Sequence, residues 1–303
     1  MGIRRQVDPI RTQGDGRRPL AQSLLGIAIA GALLVSAIAA YRFLVHPLIE
    51  SALRLDPDVS SLLRRIDIFL IAVLAYWGFV RFFERRAASE LKPRWRWLLV
   101  AGVAGSVSIG VTILALYATG FYHLESVRPT GAAGKVFGVL WTAAVLEEVA
   151  FRGILFRILE GSVGTRAAAV VSAVVFALAH MANHAAGAVT FVVVMLAGLM
   201  WAGVFVLSRN IWVTAAHHFC WNATIYAIGL PLSGEMDVQA MAPLKTAYHG
   251  PVLWTGGAFG PEDSFINILV MIGICLMLWH LARRRKLVQP PREIAVTRAR
   301  LAG

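Results

Sequence analysis

The chain predicts an all-α fold: a polytopic membrane helical bundle of about eight transmembrane helices. Three observations carry this reading. Of its 303 residues, 58% are hydrophobic and only 15% are charged, where ordinary globular chains carry about 25% charged residues. So little polar surface cannot cover a water-soluble core. Apolar stretches near the ~20 residues needed to cross ~30 Å of hydrocarbon recur along the sequence. They lack the period-two alternation of barrel strands, and within lipid only a helix or a closed barrel satisfies its own backbone.

The elements follow in order. Residues 1–22 form a basic tail with Arg4, Arg5, Arg11, Arg17 and Arg18 against Asp8 and Asp15. The first span, 21–45, follows this segment as a signal peptide would, but it begins far into the chain and lacks a convincing cleavage site, so it reads as retained. With 66–83 and 97–121 it makes up the N-terminal transmembrane helices, residues 23–132. Spans at 134–159, 166–183, 187–207 and 211–230 build a helical core over 133–230, and a Gly- and Pro-rich loop, 231–264, is the least regular part. The last span, 265–282, leads into a second basic tail that reaches residue 303.

The net charge of +12 sits mainly in those tails. That distribution excludes a basic nucleic-acid-binding face spread over a fold. Arg81 to Arg96 and the turn at Arg209 share the tails' side; the acidic 48–65 and 231–264 loops lie opposite. By the positive-inside rule both termini are cytoplasmic, in a multi-pass protein of the cell membrane. Cys220 and Cys275 both lie in apolar stretches, which excludes a disulfide framework.

Ionisable groups at membrane depth are costly and mark function. Three spans carry them. The fourth has Glu147, Glu148 and Arg152; the fifth has Phe176 and His180; the seventh has His217, His218 and Asn222. Glu148 and Arg152 are four apart with the acid first, the favourable order for a helical ion pair. Glu147 lies about 100° round the helix and has no basic partner in its own turn, so it faces a cavity as a general base. His218 and Asn222 share a helix face and converge as hydrogen-bond donors. Activated water beside two placed donors is what acyl transfer requires.

Counting about 1.5 Å per residue from the cytoplasmic ends places Glu147 at roughly 19 Å, His180 at roughly 22 Å, and His218 and Asn222 at roughly 10–17 Å, depths compatible with one site. His184 follows His180 by four, but no Glu follows His180, so the zinc-protease signature is absent and His184 reads as a helix-end residue. His217 points away from His218 and reads as packing. Trp95, Trp97, Tyr117, Tyr122, Trp212 and Trp279 read as interface anchors.

The ordered set Glu-Glu-x-x-x-Arg (Glu147 to Arg152), Phe-x-x-x-His (Phe176 to His180) and His-x-x-x-Asn (His218 to Asn222), each on its own span, resembles the CAAX protease and bacteriocin-processing (CPBP, ABI) family of intramembrane endopeptidases. The resemblance covers residues 135–228. It implies that Glu147 activates water with help from His180, that His218 and Asn222 form the oxyanion site, and that Glu148, Arg152 and Phe176 support them. It implies a peptide or lipidated, CAAX-like protein as substrate, met at the lipid bilayer, with roles in CAAX processing or bacteriocin immunity. No cofactor is favoured; a zinc site with Glu147, His180 and His218 as ligands is the alternative. A noncatalytic immunity or scaffold protein using the same polar cavity is a second alternative. A transporter is disfavoured by the lack of internal repeats.

Overall fold

The computed structural model describes residues 19–128 and 133–291; the outer parts of both basic tails, 1–18 and 292–303, lie outside them. Helix α1 (Leu20–Ala40) continues through a π-helical turn (Tyr41–Val45) into α2 (His46–Leu53). Arg54 closes α2 in the left-handed region, and α3 (Pro57–Gly78) starts at Asp56, whose side chain accepts from the Asp58 amide. Its first residue is proline, whose fixed φ suits a first helical turn. Helix α4 (Trp95–Ala118) is followed by strand β1 (Tyr122–Val127), α5 (Ala133–Glu147) and a nine-residue π-helix (Glu148–Phe156). Then come α6 (Arg157–His180), α7 (Ala188–Ser208) and α8 (Ile211–Ile228). A long connection holds α9 (Met236–Ala240), β2 (Leu244–Tyr248) and α10 (Val252–Thr255) before α11 (Phe265–Arg284).

Among the described residues, six helices are long and apolar enough to cross a membrane, rather than the eight spans expected. Two physical reasons account for the difference. The segment Ala133–His180 runs as one element across a bend at Gly164, whose φ of 79° departs from helical geometry, and so contains two of the expected spans. Helix α8 is continuous and largely buried, but His217, His218 and Asn222 make its 18 residues too polar to qualify.

The bundle packs α4 along α8 and α6 along α7, with α11 against α7 and α5 against α8. Small residues set these distances, as is common where helices meet in lipid. A Cβ on Gly198 of α7 would lie 2.8 Å from the Ala173 Cα of α6. Leu99 and Leu114 of α4 and Leu276 of α11 stay about two-thirds or more exposed, an apolar surface that water would penalise and acyl chains accept. The chain is an integral membrane protein.

The connection between α8 and α11 is more ordered than the sequence suggests. Strand β2 pairs antiparallel with β1, with a register irregularity between Leu124 and Ser126. The loop is tied down by Glu262, which accepts from Trp221 Nε1 (3.2 Å) and from the Ser233 amide and hydroxyl (both 2.8 Å). Asn183 donates to the Ser233 carbonyl (3.0 Å), and Asn267 to the Glu262 carbonyl (2.8 Å). Burial pushes the Asp263 carboxyl up to about 7, against the relief of a Thr190 hydrogen bond.

The bend at Gly164 is held by the end of the described chain. The Thr165 amide donates to the Gln289 carbonyl (3.1 Å), and the Gln289 amide donates to Thr165 Oγ1 (2.8 Å). A Cβ on Gly164 would meet the Pro291 nitrogen at 2.8 Å, so only glycine suits both the positive φ and this close approach.

Candidate active site

The site is built where α5 passes into the π-helix. Glu147 ends α5 and Glu148 begins the wider helix, a local geometry often found at functional positions. The two neighbouring carboxylates consequently face different surroundings. Glu147 keeps a side chain 30% exposed, while Glu148 and Arg152 are fully buried.

Glu148 and Arg152 pair at 3.0 Å through Oε1 and Nη1. A buried guanidinium needs further partners. Arg152 Nη2 donates to the Gly198 carbonyl (3.1 Å), and its plane lies 4.9 Å from the Phe176 ring and 5.6 Å from the Trp201 ring, distances at which aromatic faces attract a cation. Phe176 thus supports the arginine from α6 and also packs 4.4 Å from the His180 ring.

The hydrogen bonds fix the imidazoles. His180 Nδ1 lies 2.9 Å from the Phe176 carbonyl. A carbonyl only accepts, so Nδ1 carries the hydrogen and the neutral ring presents a bare Nε2. His218 Nδ1 lies 3.0 Å from Glu148 Oε1, which also takes the Arg152 bond. An ionised carboxylate only accepts, so His218 Nδ1 is the donor, and donation from Nε2 as well requires the doubly protonated ring.

Both Nε2 atoms point at Glu147. Its Oε2 is 4.0 Å from His180 Nε2 and 3.8 Å from His218 Nε2, and this buried oxygen makes no hydrogen bond within the protein. These separations are too long for direct hydrogen bonds and suit a small polar group bonded to both sides. The structure therefore brings Glu147, His180 and His218 together from three helices. Asn222 stands one turn beyond His218 on α8 and is half-buried; its amide supplies none of the hydrogen bonds that hold the cluster.

Among the described residues no group of three or more His, Cys, Asp or Glu is arranged to hold a metal ion.

Sequence reasoning missed Trp201. Its ring stacks on His218 with centroids 3.7 Å apart and planes 24° from parallel, and its Nε1 donates to His217 Nδ1 (3.2 Å). It lies on α7, which carries no ionisable residue between Ala188 and Ser208. The signal within that span is Gly198, one turn earlier, whose missing side chain lets α7 approach α6 and whose carbonyl receives Arg152. Glu262 is the other omission. It caps Trp221, whose ring lies 6.4 Å from Trp201.

The fold and this cluster define a class: an integral membrane protein with a carboxylate and two imidazoles converging inside its helical core. Residues 129–224 match the family model described as type II CAAX prenyl endopeptidase Rce1-like. That stretch of the core is accordingly similar to the CAAX/CPBP intramembrane proteases, and the match contains Glu147, Glu148, Arg152, Phe176, His180, His218 and Asn222. No curated protein and no solved structure matches the chain.

Proposed function

We propose that the chain is a glutamate-type intramembrane endopeptidase that hydrolyses a peptide bond of a membrane-associated, CAAX-like or lipidated protein. The observation that carries this is the Glu147 Oε2 atom, buried without a hydrogen bond, 3.8 and 4.0 Å from two imidazole nitrogens. A water held there gives one proton to Glu147 and directs its other hydrogen to His180 Nε2, which accepts because Nδ1 is committed to the Phe176 carbonyl. The water oxygen bonds to the scissile carbonyl carbon, and the carbonyl electron pair moves onto oxygen.

That oxyanion is met by His218 Nε2–H, with Glu148 accepting from Nδ1 of the same ring, and by the Asn222 amide. As the carbonyl re-forms, the C–N bond breaks and Glu147 returns its proton to the departing nitrogen, leaving a carboxylic acid and an amine. By the positive-inside rule both termini lie on the cytoplasmic side of the cell membrane.

The test is cleavage of a reporter peptide by the purified full chain. Glu147→Gln keeps the size of the side chain and removes the base; activity is expected to fall by about 10²–10⁴, the usual contribution of a positioned general base. Undiminished cleavage by a folded Glu147→Gln protein would falsify the assignment.

A further inference from the structure

A second built feature lies away from this site. The start of α4 reads Arg94-Trp95-Arg96-Trp97, and these four residues line an open recess of about 470 Å³. Trp95 and Trp97 are 75% and 59% exposed, and each alternates with an arginine. The chain leading into the recess is held in place. Trp212 Nε1 donates to the Leu91 carbonyl (2.7 Å), Asn210 Nδ2 to the Lys92 carbonyl (2.8 Å), and Arg94 Nη1 to the Ser208 carbonyl (3.3 Å). The nearby acids are already committed: Arg86 pairs with Glu84 and Glu90, and Arg157 pairs with Glu84. Arg94 and Arg96 form no ion pair with a carboxylate among the described residues.

Two cations without counter-ions, on a pinned backbone where an apolar helix begins, suit a phosphate. The flanking indoles suit the boundary between headgroups and acyl chains, where an aromatic body is apolar on one side and wet on the other. We propose that the Arg94–Trp97 recess seats the phosphodiester of an anionic phospholipid, with the two guanidinium groups on the phosphate oxygens and the two indoles along the glycerol and upper acyl chain. The chemistry recognised is a phosphate anion; the exposed tryptophans and the adjoining apolar surface of α4 favour its lipid source.

The experiment uses the full chain in nanodiscs of phosphatidylcholine with increasing phosphatidylglycerol, measuring retained lipid by native mass spectrometry after transfer to detergent. At roughly 1 kcal/mol per basic residue near an anionic surface, losing both arginines is expected to weaken phosphatidylglycerol retention about thirty-fold. Arg94→Gln/Arg96→Gln should show that loss, and Arg96→Gln alone, which keeps the Arg94 tie to Ser208, a smaller one. Arg284→Gln/Arg285→Gln, an equal charge change at the exposed end of α11, should retain the lipid as the unmodified chain does. Equal loss in both double variants would reduce the effect to diffuse charge and overturn the proposal. So would equal retention of the two lipids, or protection by inorganic phosphate without lipid.

Discussion

Arg152→Met isolates the cost of an unpaired charge in the core. The arginine is fully buried, and the substitution removes the 3.0 Å pair with Glu148, the bond to the Gly198 carbonyl and the cation contacts with Phe176 and Trp201. Methionine roughly fills the volume of the aliphatic stem, so the main loss is electrostatic: Glu148 loses its guanidinium partner and retains the His218 bond, with Oε2 unpartnered. Breaking a buried pair from one side costs about 3–5 kcal/mol. With an unfolding entropy of about 2.1 cal/mol/K per residue, a chain of 303 residues converts this into a fall of about 5–8 °C in Tm. Helix melting in detergent can be followed by thiol labelling, because Cys275 is buried and free. The decisive comparison is Arg152→Met/Glu148→Gln, which removes the orphaned charge and should recover more than half of the loss. A double variant as unstable as Arg152→Met would refute the claim that the stranded carboxylate is the source of the cost.

Three further outcomes are expected. Asn222→Ala, judged by peptide cleavage, should lower kcat by about 10²–10³ with little change in KM, the pattern of a donor that acts in the transition state. Gly198→Ala places a methyl 2.8 Å from the Ala173 Cα; forcing α6 and α7 apart should cost about 1–3 kcal/mol in thermal unfolding. Asp263, raised by burial from its ordinary 3.8 to about 7, is protonated in the folded chain over a pH range where the unfolded chain has released its proton. Its contribution to stability should therefore be full below about pH 4, fall as pH rises to about 7 and level off above it. Asp263→Asn, which keeps the shape and cannot ionise, should flatten that profile in thermal melts.

Side-chain chemistry was more legible in the sequence than backbone geometry. The four-residue spacing of Glu148 and Arg152 anticipates a shared helix face, because four residues span close to one turn whether the helix is α or π. Nothing in Glu148–Phe156 announces the wider winding. The helix carrying His180 ends at that residue rather than at 183, since Met181–Gly187 turns to meet the loop that Asn183 and Ser233 tie down. The pairing of β1 with β2 was equally hidden: it joins segments more than a hundred residues apart in sequence, and five of the six β1 residues remain exposed. Trp201 escaped notice because a stacking partner has no spacing signature of its own. It is recognised only once two helices set its ring against His218.

The clasp at Gly164 orders assembly in time. The Thr165 amide finds its acceptor on Gln289, 124 positions later. A nascent chain therefore makes its bend long before the residue that completes it leaves the ribosome, and throughout that interval the amide must be served by water at the membrane edge. Final locking waits for α11 and the residues that follow it, so a segment made late closes a joint opened midway through synthesis.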